Sequence, residues 1–301
     1  MNAVHSVATK LLTLIASSTP CIWLVVAAAQ GSTPRETGAS MLVTAQEAFG
    51  TIGGGHLELK AIEHARAMLS SGATAATQRH YPLGPALGQC CGGGVSVLFA
   101  PTGFANCEEL RLISRIEHDG GRHVLTRTLD TGDTITVPLQ FATWTVWIFG
   151  AGHVGKALID VLANVPCQVK WVDQRDAQFP STVSDNVEII QSLSPADEVR
   201  RIASGAQVLV LTHSHALDLD ICLALLKRDD LAYCGLIGSD TKAAVFRQRF
   251  AQRGASADAI ARIICPIGAA HLRSKHPGVI AVNVAMDLIE RQQQLQPSTA
   301  V

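Results

Sequence analysis

A glycine-rich loop in the second half of the chain has the spacing of a phosphate-binding turn. Gly150, Gly152 and Gly155 form a Gly-x-Gly-x-x-Gly pattern between the apolar run 145–149 and a helix-forming segment. The first glycine allows a tight turn, the second lets backbone amides approach a phosphate, and the third allows close helix–strand packing. Asp173 ends the next apolar run, where such folds place an acid that binds ribose. The pattern predicts a nicotinamide dinucleotide, another phosphate-bearing ligand, or a domain of this fold without a ligand.

His213 and His215 lie in a second polar loop, which follows the apolar run 208–211. Open α/β sheets bind ligands at the carboxyl ends of their strands, so both imidazoles are predicted to face a ligand. A metal site is the alternative, because imidazoles with the nearby carboxylate of Asp218 are suitable ligands. We favour a polar ligand-facing loop, because Asp218 falls within the predicted helix 216–227.

A third loop, residues 238–242, follows the next apolar run and precedes a helix with a basic face. Its glycine, its hydroxyl groups, including that of Ser239, and the following helix N-terminus predict a second anion-binding site. Lys242 would supply a mobile cation there. A capped helix with a solvated basic face is the alternative interpretation.

Composition excludes several classes of protein. The 301 residues correspond to about two domains. The chain has 24 basic and 25 acidic residues and a net charge of −1, so it has no field that would attract nucleic acid or an anionic membrane. Charged residues make up 16 % and hydrophobic residues 48 %, which indicates a folded chain with sizeable cores.

The most hydrophobic stretch, residues 11–29, resembles a signal peptide because Lys10 precedes it and three alanines stand near its end. We favour a short helix followed by a buried strand, because residues 17–20 (Ser-Ser-Thr-Pro) interrupt the run. Neither half reaches the roughly 20 apolar residues of a membrane span. We therefore expect a cytoplasmic protein without a membrane segment. The eight cysteines include no Cys-x-x-Cys pair, so neither a disulfide scaffold nor a zinc site is predicted.

The predicted elements divide the chain near residues 139–143. Beyond this point strands and helices alternate, which predicts a Rossmann-like, doubly wound parallel-sheet domain over residues 144–301. The shorter elements before it predict a small α/β domain over residues 1–140. The predicted strands are 22–28, 41–43, 95–99, 145–149, 169–173, 188–190, 208–211 and 233–237. One predicted helix ends near residue 16, and the others cover 57–69, 156–163, 216–227 and 242–253.

Short motifs spread over both halves carry a family likeness. They are residues 31–36, 38–41, 50–58, 83–93, 150–158, 172–175, 212–218, 235–239 and 265–268. In this order they resemble the XdhC/CoxI family of xanthine dehydrogenase accessory proteins. The resemblance implies a non-catalytic chaperone that binds and protects the molybdenum cofactor (molybdopterin) and delivers it to xanthine dehydrogenase. Residues 269–272 (Ala-Ala-His-Leu) depart from the family pattern, which puts a ligand role for that last loop in doubt.

The implied cargo is a pterin whose dithiolene holds molybdenum and whose side chain ends in a phosphate. Given that cargo, Arg35 and Glu36 are candidates for hydrogen bonds to the heterocycle. The glycines Gly53, Gly54 and Gly55 would let the backbone approach the ligand closely at the start of a helix.

Cys90 and Cys91 lie beside three glycines. A thiolate is a soft ligand suited to a soft metal centre. Consecutive residues in an extended chain point to opposite sides, so we expect one cysteine to face the cofactor and the other to pack. Cys90 is the favoured candidate for contact with molybdenum. The other six cysteines are expected to be inert packing residues.

Two rival functions stay open from the sequence. One is an NAD(P)-dependent oxidoreductase in which His213 or His215 acts as acid or base. The other is a docking protein that contacts the dehydrogenase without binding its cofactor. A cysteine desulfurase and a second copy of this chain are further candidate partners.

Overall fold

The structure, a computed structural model, describes residues 7–83, 93–102, 107–119, 121–141, 144–268 and 274–295. These residues form two compact units, with the division between Ala142 and Thr143. Within the described residues, no helix is long and apolar enough to cross a membrane.

The N-terminal unit is built on a five-stranded antiparallel sheet of order β3-β2-β1-β5-β4. A separate hairpin of β6 and β7 accompanies it. Its elements are α1 (Val7–Ala16), β1 (Ile22–Gln30), β2 (Ser40–Val43), β3 (Ala48–Gly50), α2 (Gly55–Ser70), β4 (Thr77–Pro82), β5 (Gly94–Pro101), α3 (Cys107–Asp119), β6 (Gly121–Thr128) and β7 (Thr134–Phe141).

The central strand β1 is buried on both faces, which explains its continuous apolar sequence. Ile22 and Leu24 belong to the core that includes α2, whereas Trp23 and Val25 belong to the core that includes α1 and α3. Alternate residues of a strand point to opposite faces. The sheet therefore supports two separate cores.

The C-terminal unit is a six-stranded parallel sheet of order β10-β9-β8-β11-β12-β13. This is the 3-2-1-4-5-6 order of the Rossmann fold, and the order reverses between β8 and β11. The predicted fold class is confirmed. Its elements are β8 (Trp144–Phe149), α4 (His153–Leu162), β9 (Cys167–Asp173), β10 (Val187–Gln191), α5 (Pro195–Glu198), β11 (Gln207–Val210), α6 (His215–Leu225), β12 (Tyr233–Leu236), α7 (Asp240–Gln252), α8 (Ala257–Ala261), β13 (Ile263–Ile264) and α9 (Pro277–Leu295).

The long helix α9 was not predicted from the sequence. Its Ala281, Val284 and Leu288 are buried in the same core as residues of α4. Gln207 Nε2 also donates to the Leu288 carbonyl oxygen at 3.1 Å. Tertiary packing and this buried hydrogen bond stabilise α9, whose polar C-terminal end has no sequence pattern that predicts a helix.

Candidate functional site

The carboxyl ends of the parallel strands meet at one edge of the C-terminal sheet. Three predicted loops follow β8, β11 and β12, which are neighbours in the sheet. A Cβ built on Gly150 would lie 2.4 Å from the Leu211 carbonyl oxygen, so the first two loops are in direct contact. The structure therefore brings these loops together at the point where the strand order reverses.

The three glycines of the first loop have different surroundings. Gly150 has a φ of +124°, which disfavours a side chain, and its carbonyl accepts a hydrogen bond from Trp171 Nε1 at 3.0 Å. A Cβ on Gly155 would lie 2.2 Å from the Gly150 carbonyl oxygen. A Cβ on Gly152 would meet nothing within 4 Å. Gly150 and Gly155 thus shape the turn, while Gly152 borders open space.

Helix α4 begins with backbone donors that no described side chain caps. Its N-cap residue is Gly152, and its first turn contains no acidic residue. By contrast, Ser214 caps α6 and Ser239 caps α7, and each of these helices has an aspartate in its first turn. Unsatisfied amides and the positive end of the helix dipole favour an anion. Of these three helix starts, only that of α4 retains this character.

Asp173, predicted to bind ribose, is engaged within the protein. Its Oδ2 accepts from Ala151 N at 2.7 Å and from Arg175 Nη2 at 3.1 Å. Its Oδ1 accepts from Arg175 N at 2.9 Å and Nε at 3.0 Å. Burial opposes ionisation, but the bonds from Arg175 and Ala151 outweigh it and hold the pKa of Asp173 below its ordinary value. As placed, the carboxylate stabilises the glycine turn and its two oxygens are already occupied.

The loops after β11 and β12 enclose a cleft of about 330 Å³. A volume of this order is typical of small-molecule sites. It unites four residues that the sequence assigned to ligand binding in two separate loops. The lining residues are Thr212, His213, His215, Ile237, Gly238, Ser239 and Lys242.

A buried ion pair lies beside this cleft. Lys242 Nζ donates to Asp218 Oδ2 at 2.6 Å and to the Ile237 carbonyl oxygen at 2.8 Å. Asp218 Oδ1 accepts from Thr212 N at 3.0 Å and Oγ1 at 2.7 Å. Lys242 is therefore held in place rather than a mobile cation, and Asp218 connects both loops. This link through Asp218 was not predicted from the sequence.

Gly238 packs closely against Lys242. A Cβ on Gly238 would lie 2.7 Å from Lys242 Cδ. Across the described ranges, no three His, Cys, Asp or Glu side chains are grouped to hold a metal ion.

In the N-terminal unit, two predicted loops touch each other. A Cβ on Gly53 would lie 2.5 Å from Pro34 Cγ, so the loop carrying Arg35 and Glu36 packs on the glycine loop. Arg35 Nη2 lies 3.4 Å from Glu36 Oε1, with 40 % and 75 % of the two side chains exposed. Both side chains are accessible to solvent, and their hydrogen bonding to a heterocycle stays a prediction.

Glu58 occupies the donors at the start of α2. Its Oε2 accepts from Gly54 N at 3.0 Å, Ile52 N at 3.1 Å and Thr51 Oγ1 at 2.6 Å. Gly55, the first residue of α2, follows these bonded amides. The side chain of Glu58 thus already supplies the negative charge that a ligand anion would bring, and the glycine loop does not offer a free anion site here.

Cys90 and Cys91 lie outside the described residues. The described positions that flank their segment are joined, because Leu83 N donates to the Gly93 carbonyl oxygen at 2.7 Å. A Cβ on Gly93 would lie 2.3 Å from the Gln30 carbonyl oxygen. The chain therefore enters β5 directly beside the loop that follows β1.

Of the six other cysteines, five are buried, as predicted for packing residues, whereas Cys107 is partly exposed. Burial raises the pKa of Cys21, Cys167 and Cys234 to about 12. It also raises the pKa of Cys222 and Cys265. Thiols of this kind are poor nucleophiles and poor metal ligands at neutral pH.

Comparisons with known proteins identify similar chains for both units. Residues 146–288 match the family described as the XdhC Rossmann domain, and residues 14–82 match the XdhC and CoxI family. The uncharacterized protein YqeB of Escherichia coli K12 is 25 % identical over 267 residues, which is 87 % of this chain and 41 % of that protein. The chain therefore spans about two fifths of the length of this curated relative.

A solved structure shares the fold over the whole chain. It comes from Bacillus halodurans, is described as a xanthine dehydrogenase and is 21 % identical. The TM-score is 0.75, and the match covers 98 % of each chain. At this level of identity the similarity shows the fold.

Proposed function

We propose that this chain, which belongs to the XdhC and CoxI family, is an accessory protein of xanthine dehydrogenase. It binds the molybdenum cofactor, protects it and delivers it to the dehydrogenase without catalysing a reaction itself. Family membership supports the accessory role. The uncapped start of α4 beside Gly152 is the observation that supports cofactor binding.

The phosphate of the cargo fits the start of α4 better than the other helix starts described above. The amides there have no side-chain cap, the first turn has no acid, and the space beside Gly152 is open. A phosphate placed there would accept hydrogen bonds from backbone donors and gain from the helix dipole. The role of this chain at that point is to bind and orient the phosphate.

The metal end of the cargo needs protection from water and oxidants. We propose that a thiolate of Cys90 or Cys91 shields the metal and that Arg35 and Glu36 bind polar groups of the cargo. Sulfur is a ligand type that suits a soft metal centre. The five buried cysteines do not suit this role, because burial raises their pKa.

An NAD(P)-dependent oxidoreductase is the second candidate, since the strand order and glycine loop are typical of dinucleotide binding. The carboxylate of Asp173 argues against this function, because it accepts hydrogen bonds from Ala151 and Arg175 and is not presented to a ribose hydroxyl. We therefore rank the carrier first.

The carrier must meet its partner where the dehydrogenase is made, so we place both in the cytoplasm. A cysteine desulfurase that sulfurates the metal and a second copy of the chain are further proposed partners.

Analysis of the purified chain tests the proposal. The chain is produced in a host that makes the cofactor, then assayed for molybdenum and for the fluorescent pterin released by oxidation. If the chain is a carrier, molybdenum and pterin should be present in equal amounts. Turnover of a nicotinamide without bound pterin would support the oxidoreductase, and neither signal would support a docking protein.

A further inference from the structure

The ammonium of Lys242 has one donor to spare beside the cleft. It carries three N–H groups. Asp218 Oδ2 and the Ile237 carbonyl oxygen accept two of them, and no other described residue accepts the third. Only 11 % of the side chain is exposed, and Lys242 lines the cleft. The ammonium also lies 5.2 Å from the centroid of the Phe246 ring. Because Lys242 lines the cleft, an acceptor bound there can take the remaining hydrogen bond.

The charge of the cleft argues against a phosphate as that acceptor. The ion pair of Lys242 with the fully buried Asp218 carries no net charge. Serines cap the two helices that start at the cleft, and Asp240 adds a further acidic group in the first turn of α7. A neutral acceptor such as a ring carbonyl therefore suits this cleft better than a dianion.

The two histidines of the cleft add polar groups that no described residue engages in a hydrogen bond. His213 and His215 are exposed, and neither ring makes a hydrogen bond to any described residue. His215 packs edge-on to the buried Phe246, with ring centroids 6.4 Å apart. An imidazole can donate and accept, so the pair can meet the amino group and ring nitrogens of a heterocycle.

The cleft and the glycine loop share a wall. A Cβ on Gly150 would lie 3.0 Å from Thr212 Cα, and Thr212 lines the cleft. The loop that lines the cleft is therefore adjacent to the glycine loop, and we place the phosphate of the cargo at the start of α4 and its other end in the cleft. Pterin matches that end, because it combines a ring carbonyl, an amino group and ring nitrogens.

We infer that this cleft binds the pterin ring of the cargo, with the ammonium of Lys242 donating to the ring carbonyl and His213 and His215 bonding the amino and ring-nitrogen edge. Asp218 holds the ammonium in position. The inference rests on the proposed function, because it locates the ring of the same cargo.

Titration of the full chain with free pterin, which carries neither phosphate nor metal, tests this assignment. We expect the wild-type chain to quench pterin fluorescence saturably. Lys242→Met should weaken binding about tenfold to a hundredfold, the range for one hydrogen bond to a charged group. Lys227→Met, at an exposed lysine after α6, is the matched control and should bind as the wild type does.

A second variant covers the risk that Lys242→Met alone fails to fold. The double variant Asp218→Asn/Lys242→Met leaves no buried charge without a partner, and it should have a native circular dichroism spectrum and the same loss of pterin binding. Absent pterin binding in the wild type, or wild-type affinity in a folded Lys242 variant, would overturn the inference. Cofactor retention by the wild-type chain, measured separately, decides whether the carrier function stands.

Discussion

Lys242 Nζ lies 2.6 Å from Asp218 Oδ2, although the two residues are 24 positions apart. The bond links the first turns of α6 and α7, and Asp218 also binds Thr212. Asp218 is fully buried and only 11 % of the Lys242 side chain is exposed, so removing either partner leaves the other charge poorly solvated.

Breaking this pair should destabilise the C-terminal unit. We expect Lys242→Met to lower the free energy of unfolding by about 3 kcal/mol, because it leaves Asp218 buried and unpaired. The double variant Asp218→Asn/Lys242→Met should lose much less free energy of unfolding than the losses of Asp218→Asn and Lys242→Met added together. Urea unfolding followed by tryptophan fluorescence measures this, since three of the four tryptophans, Trp144, Trp147 and Trp171, lie in this unit. Strictly additive losses would show that the two side chains do not interact.

The glycine loop should tolerate a side chain at one position and not at another. Gly150→Ala should destabilise the fold by about 2 kcal/mol or more, because its φ is positive and its Cβ would press on Leu211. Gly152→Ala should change the stability by no more than about 0.5 kcal/mol.

Gly152→Asp separates binding from folding at the same loop. Its backbone is extended and its surroundings are open, so the fold should survive. The added negative charge would occupy the phosphate position, and we expect the purified variant to retain little pterin. Gly152→Ala is the matched control for loop structure. Equal pterin content in the two variants and the wild type would show that the start of α4 does not bind the cargo.

Asp173 should make the C-terminal unit sensitive to acid. Its pKa in the folded state lies below the unfolded value of about 3.9, so its contribution is present above that pH and is lost as the pH falls through the folded pKa. The stability difference between the wild type and Asp173→Asn should therefore narrow below about pH 4. Asp197→Asn, at a 64 % exposed side chain, is the control. A difference that stays constant from pH 7 to pH 3 would contradict this role.

The parallel-sheet unit was the more predictable part of the fold. Its central strands β8, β11 and β12 are almost entirely buried and give continuous apolar runs, and the glycine loop fixes one strand–helix junction. The N-terminal unit gave weaker signals. The exposed Val124 of β6 shows why, because a hairpin with one solvated face lacks a continuous run.

The site was predictable in its loops and not in its bonds. His213, His215, Ser239 and Lys242 were identified from loops that follow strands, and the sheet topology brings them together. The pairing of Asp218 with Lys242 depends on where α6 and α7 pack, which residue spacing does not encode. Glu58 could have been suspected, because an acid in the first turn of a helix often binds its backbone donors.

Replacing the cysteine pair tests whether a thiolate contacts the cargo. Cys90→Ala/Cys91→Ala should lower the molybdenum content of the purified chain while its circular dichroism stays native. Five other thiols are buried with raised pKa values, so they should react with a thiol reagent only on unfolding. Unchanged molybdenum and pterin content in the double variant would exclude a thiolate contact.

The molybdenum content of xanthine dehydrogenase purified from a strain lacking this chain tests the carrier function most directly. We predict an enzyme that folds and keeps its other redox centres but lacks molybdenum and xanthine turnover, while electron transfer from reduced nicotinamide to a dye persists. Supplying the wild-type chain should restore molybdenum, and Gly152→Asp should not. Full molybdenum occupancy and normal xanthine turnover without the chain would contradict the carrier function.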